Sequence, residues 1–239
     1  MPVQTRVHFH EELARLEEQA LGGLDLVVAA LDRTTEALEH QDAELAAMVI
    51  ADDDKIDGRY LEVHQGVLSL LARQAPVATD LRLIAALLDT IKHFERMGDQ
   101  CVNIAKLIRL TGADAPPQAQ PILLRILEMA RQARSQVLQA KRAFGERNVE
   151  LAEDLVVQDE KINELNRECF QLALEVGDDP DAREWAMHMM LAARACERIG
   201  DLAVDIGEQV AFVVTGLFYE FTDASHPGQA PPAVGPLGR

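Results

Sequence analysis

The sequence predicts an all-α protein made of two tandem three-helix bundles related by internal duplication. Apolar residues recur at steps of three and four through most of the chain, one Gly- and Pro-rich break divides it near the middle, and the two halves align motif by motif. The composition agrees. It is 48% hydrophobic and only 4% aromatic, with Ala, Leu, Glu, Asp and Arg dominant, which suits helices packed through aliphatic side chains.

The first helix is announced by Leu13, Leu16, Ala20, Leu24, Val27 and Leu31, a single stripe along a long bundle helix. A second starts after Gln41-Asp42 and runs through Leu45, Val49, Ile56, Val63, Val67 and Leu70. It must stop at Pro76, whose ring cannot be carried through a helix. A third spans about Thr79 to Leu110. Thr111-Gly112-Ala113-Asp114-Ala115-Pro116-Pro117 then combines Gly, Asp and two prolines and marks the boundary between repeats. Beyond it the order recurs: a helix from about Pro121 to Phe144, another from Val149 to Val176, a turn at Gly177–Pro180, and a last long helix. The predicted units are therefore residues 1–112, residues 113–221, and a tail, 222–239. Four prolines, three glycines and almost no large apolar residue in the tail predict disorder.

The duplication can be written out. Asp42-Ala43-Glu44-Leu45-Ala46 matches Asn148-Val149-Glu150-Leu151-Ala152, and Asp53-Asp54-Lys55-Ile56-Asp57 matches Asp159-Glu160-Lys161-Ile162-Asn163, both at an offset of 106. Phe94-Glu95-Arg96-Met97-Gly98-Asp99 matches Cys196-Glu197-Arg198-Ile199-Gly200-Asp201 at an offset of 102, the difference falling in the turn between the second and third helices. Repeats of about 100 residues exceed the 34 to 47 of ordinary helical solenoid units, so each reads as a bundle.

Several function classes are disfavoured. A net charge of −17 repels nucleic acid unless a basic stripe reverses it, and no such stripe is visible. Cys101, Cys169 and Cys196 are odd in number and lack Cys-x-x-Cys spacing, so they read as packed, reduced thiols. Met1–His10 has no apolar secretion core and no uncharged run reaches membrane-spanning length, which predicts a cytoplasmic chain without membrane insertion. The seven histidines show no repeat equivalence and no Glu-x-x-His pair occurs, against a ferritin-like oxidase. Nucleophile elbow, phosphate loop and dinucleotide turn are all missing.

The carboxylates carry the remaining chemistry. Glu95 and Asp99 lie one turn apart on one face, with Asn103 a turn further, and Glu197, Asp201 and Asp205 repeat the pattern. Asp53 and Asp57 on the preceding helix form a second pair, matched by Asp159 and Asn163. Facing pairs on adjacent helices would assemble four or more oxygen ligands, a set for Mg, Ca, Mn or oxidised iron rather than zinc or copper. Two alternatives stay open: solvated acidic faces, common in so acidic a chain, and salt-bridge networks in which Arg96 and Arg198 neutralise the acids without metal. The duplicated Gly98 and Gly200 weigh against accident. A mid-helix Gly costs roughly 1 kcal/mol against Ala and asks for close packing or ligand approach.

Leu70-Leu71-Ala72-Arg73-Gln74-Ala75-Pro76-Val77-Ala78-Thr79-Asp80-Leu81-Arg82, followed by Glu95-Arg96-Met97-Gly98-Asp99 and Glu197-Arg198-Ile199-Gly200-Asp201, resembles the PhoU family over about residues 11–217. The resemblance implies tandem three-helix bundles, homodimers, and multinuclear metal clusters, iron or zinc in some members, on the E/D-x-x-x-D motifs. Its implied ligands here are Asp53, Asp57, Glu95 and Asp99 in one repeat, and Asp159, Glu197, Asp201 and Asp205 in the other, with iron expected ahead of zinc, manganese or magnesium. Functionally it implies a cytoplasmic adaptor, not an enzyme, that represses phosphate uptake and the phosphate-starvation response. Its implied partners are the ATPase subunit of the phosphate ABC transporter and a phosphate-sensing histidine kinase. The competing expectation is a metal-dependent enzyme or metal store using the same carboxylates.

Overall fold

The computed structural model describes residues 3–112, 115–218, 220 and 221; residues 113–114 of the predicted linker and the predicted disordered tail lie outside them. Helices α1 (Val3–His40), α2 (Ala43–Asp52), α3 (Asp54–Arg73) and α4 (Ala78–Thr111) form the first repeat. A short 3-10 turn, Pro117–Ala119, leads into α5 (Gln120–Glu146), α6 (Val149–Leu174) and α7 (Pro180–Thr215). Among the described residues there is no strand.

The second predicted helix of the first repeat is divided at Asp53. Asp53 keeps right-handed dihedrals (φ −61°, ψ −31°), and its carbonyl accepts from the N–H groups of Ile56 and Asp57, so α2 and α3 run on almost as one. The predicted stripe of α1, from Leu13 to Leu31, is buried throughout. The duplication extends to the backbone: Gln41 (φ 50°) and Arg147 (φ 54°), equivalent at the offset of 106, both take the left-handed conformation that few non-glycine residues adopt. Each precedes a side chain that caps the next helix. Asp42 Oδ1 accepts from the Glu44 and Leu45 N–H groups, and Asn148 Oδ1 from that of Leu151.

The repeats pack side by side, α4 against α7 and α1 against α5, and their buried residues join into one contiguous apolar cluster. Cys101, Cys169 and Cys196 lie inside it as free thiols whose burial pushes their pKa up and so disfavours the reactive thiolate. No helix among the described residues is long and apolar enough to cross a membrane.

Candidate metal centre

The acidic motifs meet where the second helix of each repeat crosses the third. At the crossing stands the motif glycine. A Cβ on Gly98 would lie 2.9 Å from both Asp53 Oδ1 and Ile56 Cδ1. One on Gly200 would lie 2.5 Å from Asp159 Oδ1 and 3.0 Å from Ile162 Cδ1. Both glycines therefore exist to admit a carboxylate and an isoleucine from the neighbouring helix, which explains their place in otherwise unbroken helices.

In the first repeat the four expected residues face one another electrostatically. Burial, and after it the charges of Asp57, Asp99 and Glu95, together raise Asp53 to about 6. Glu95 is half-buried and is raised by its burial and then by Asp99 and Asp57. Asp57 and Asp99 stand exposed at the rim. Asp53 Oδ1 is buried without a hydrogen-bond partner, next to a cavity of about 10 Å³ lined in part by Ala30, Val49, Ile56, Gly98 and Cys101. Arg33 and Lys55 pair with Asp52, and Lys92 with Asp89, while Arg96 opposes the rise at Glu95.

The second repeat has the same skeleton and a different solution. Asp159 is buried but hydrogen-bonded on both oxygens, by Asn163 Nδ2 at 2.9 Å and Gln136 Nε2 at 3.4 Å. Burial and Asp201 still raise its pKa, while those two bonds pull it back. Glu197 is ion-paired with Arg194. Asp201 is raised by burial and opposed by Arg194 and Arg198. Asp205 is raised by burial and then by Asp201, and it also reaches the seam between repeats: its Oδ2 is 3.5 Å from His93 Nδ1 of α4, and Arg96 of α4 opposes the rise. The imidazole is held down to about 4 by its own burial, so the contact is with a neutral ring above that pH.

Among the described residues, no three His, Cys, Asp or Glu side chains are gathered as ligands to one ion. The acids of the first repeat are close enough to repel but not drawn together. An orphaned, buried carboxylate oxygen amid three further carboxylates nevertheless fits a hard cation. The amide-satisfied Asp159 and ion-paired Glu197 of the second repeat fit one less well.

A family model described as the PhoU domain matches residues 24–108 and again 126–210. The chain belongs to the PhoU family. It is 32% identical over 231 residues, 93% of this chain and 99% of the relative, to a Mycobacterium leprae protein named phosphate-specific transport system accessory protein PhoU homolog 1. It is 28% identical over 221 residues, 92% of this chain and 100% of the relative, to the PhoU homolog of Clostridium acetobutylicum. The crystal structure of PhoU from Pseudomonas aeruginosa superposes with a TM-score of 0.79 at 27% identity, covering 87% of this chain and 100% of that one.

Within this PhoU chain, sequence reasoning missed Gln136, Arg194 and His93. Gln136 is equivalent to Ala30 at the offset of 106, so extending the repeat alignment into the first helix would have exposed it. The Arg194–Glu197 spacing of three was also available. The approach of His93 to Asp205 depends on how the repeats pack and has no local signal.

Proposed function

We propose that this protein is a cytoplasmic accessory regulator of a phosphate-specific transport system, restraining uptake and the starvation response by contacting the transporter's ATPase subunit and a phosphate-sensing histidine kinase, as a homodimer. The observation that supports it most is that relatives named as accessory proteins of that system align over nearly their whole length and nearly all of this chain. A helical scaffold with acidic ridges at the crossings of α3 with α4 and of α6 with α7 suits docking onto basic partner surfaces.

In this reading Asp53, Asp57, Glu95 and Asp99 hold a multinuclear metal cluster, iron ahead of manganese, magnesium or zinc. When bound, the cluster supplies positive charge that relieves their mutual repulsion and ties the second helix to the third. Asp159, Glu197, Asp201 and Asp205 form the weaker second site. The test is co-purification of the untagged chain with the ATPase subunit and the kinase in high and low phosphate. Recovery of either partner in a phosphate-dependent manner is expected; recovery of neither under both conditions overturns the proposal.

A further inference from the structure

Beyond the regulatory reading, the end of α7 holds an arrangement that neither acidic cluster requires. Gly216, left-handed at φ 75°, turns the chain back along α7, and Thr215 Oγ1 accepts from the Leu217 N–H at 3.1 Å. The Phe218 ring meets Phe212 edge to face at 5.9 Å between centroids. The Phe221 N–H donates to Glu208 Oε1 at 2.8 Å, and its half-buried ring packs on the core beside Gly207. A Cβ on Gly207 would lie 3.3 Å from Phe221 Cε2 and 3.0 Å from both the Ala152 carbonyl oxygen and Leu155 Cδ1. The missing side chain thus leaves a slot between α6 and α7, with Glu208 beside it.

The duplication provides the control. Gly207 and Glu208 stand where the first repeat has Ala105 and Lys106, whereas Ala152 and Leu155 stand where it has Ala46 and Val49. Ala105 is buried and Lys106 exposed in the ordinary way of a bundle helix. The second repeat departs at the two positions the returning segment touches: losing the methyl makes room, and exchanging Lys for Glu provides an acceptor. Glu208 is only 8% exposed and is pushed up to about 7 by burial, with Asp205 and Glu220 adding to it. A carboxylate is costly there unless hydrogen-bonded, and the segment that returns to it supplies the bond.

We propose that the segment anchored by Leu217, Phe218 and Phe221 is a detachable strap, a resident peptide ligand of the α6/α7 groove formed by Ala152, Leu155, Gly207 and Glu208, and that its release opens this groove without unfolding α7. The exposed Phe218 and half-buried Phe221 contrast with α7, whose residues are buried along most of its length, and this places the strap at the low-stability end of the molecule.

Hydrogen–deuterium exchange on the full chain tests it. In the wild type, amides of Leu217, Phe218, Glu220 and Phe221 are expected to exchange at least tenfold faster than those in the middle of α7, yet at least tenfold slower than in an unstructured peptide. The Gly207→Ala, Glu208→Lys double variant, which restores the first repeat's residues, should remove the strap's protection and leave that of α7 unchanged. Because a methyl at 207 also meets the Ala152 carbonyl, Phe221→Ala is a second variant that alters neither helix, and it should have the same effect. Protection equal to that of α7, protection equal to that of a free peptide, or variants that exchange like wild type would each overturn the proposal. Protection that rises with protein concentration would overturn it too, by assigning the segment to the groove of a second copy.

Discussion

Asp53 and Asp159 occupy equivalent positions in the two repeats, each against a motif glycine and each raised by burial, yet their surroundings differ. Beside Asp53 the first helix offers Ala30 and the next turn offers Asp57; beside Asp159 the same places hold Gln136 and Asn163. Two amides therefore satisfy the buried carboxylate of the second repeat, while that of the first keeps an orphaned oxygen among like charges. Arg194 repeats the lesson. It reaches Glu197, whereas its counterpart Lys92 turns back to Asp89 and leaves Glu95 unpaired with it. Duplication preserved the skeleton of both sites, and substitution neutralised one of them from within.

The comparison breaks most directly on metal. Glu95→Ala should weaken Mn²⁺ binding at the first cluster by about 100-fold, at or beyond the upper end of what loss of a supporting residue costs a metal site. Glu197→Ala, which removes a group already paired with Arg194, should change total binding by less than about tenfold. Isothermal titration of each variant, with metal content of untagged protein as a check, decides it. Equal losses would mean that the two clusters are functionally alike.

Next in size are the glycines. Gly200→Ala places a methyl 2.5 Å from Asp159 Oδ1, which is held by Gln136 Nε2, and 2.9 Å from the buried Gln136 Oε1. Overpacking of that kind costs about 1–3 kcal/mol, against which Ala's better helix propensity returns roughly 1. Denaturant unfolding should show a net loss of about 1–2 kcal/mol. Gly98→Ala should cost less, because Asp53 has no partner that holds it in place. A smaller effect follows from exchanging the residues that differ. Gln136→Ala should cost about 1–2 kcal/mol by leaving one Asp159 oxygen without its bond. The reciprocal Ala30→Gln should give Asp53 a donor and reduce cation affinity. An Ala30→Gln variant that binds Mn²⁺ as tightly as wild type would refute the link between the orphaned oxygen and the metal.

Much of this was legible in the chain because it depends on spacing within a helix. The stripe from Leu13 to Leu31, the stop before Pro76 and the pairs Glu95/Asp99 and Glu197/Asp201 are local facts, and the offsets of 106 and 102 carried them from one repeat to the other. The break at Asp53 was not legible, since a residue with helical dihedrals interrupts the helix without any Gly or Pro to signal it. Asp205 was assigned to the second cluster by its spacing and by the family resemblance. Its approach to His93 and Arg96 arises from α4 packing on α7, which no local pattern encodes. Whether a carboxylate is satisfied is equally non-local: Gln136 lies 23 residues before Asp159 and matters only because α5 packs against α6.

The smallest effect is the pH response of the metal-free protein, and it isolates Asp53. Its pKa is higher in the folded chain, at about 6, than the 3.8 of an unperturbed aspartate, so the folded state binds the proton more tightly than the unfolded one. The resulting stabilisation is fully present below about pH 4 and is lost as pH rises through 6. The carboxylate sits near the exposed rim formed by Asp57 and Asp99, so solvent screening limits the swing to about 1 kcal/mol. Asp53→Asn removes the titration. Without metal, the variant should match wild type near pH 4 and exceed it in stability by about that amount at pH 7. With Mn²⁺ the order at pH 7 should reverse, because the cation stabilises only the wild-type carboxylate, and wild-type affinity should fall about tenfold per pH unit below 6 as a proton competes for the site. A stability difference that stays flat from pH 4 to 7 would show that Asp53 is already neutralised by its own repeat, as Asp159 is, and the contrast between the two sites would disappear.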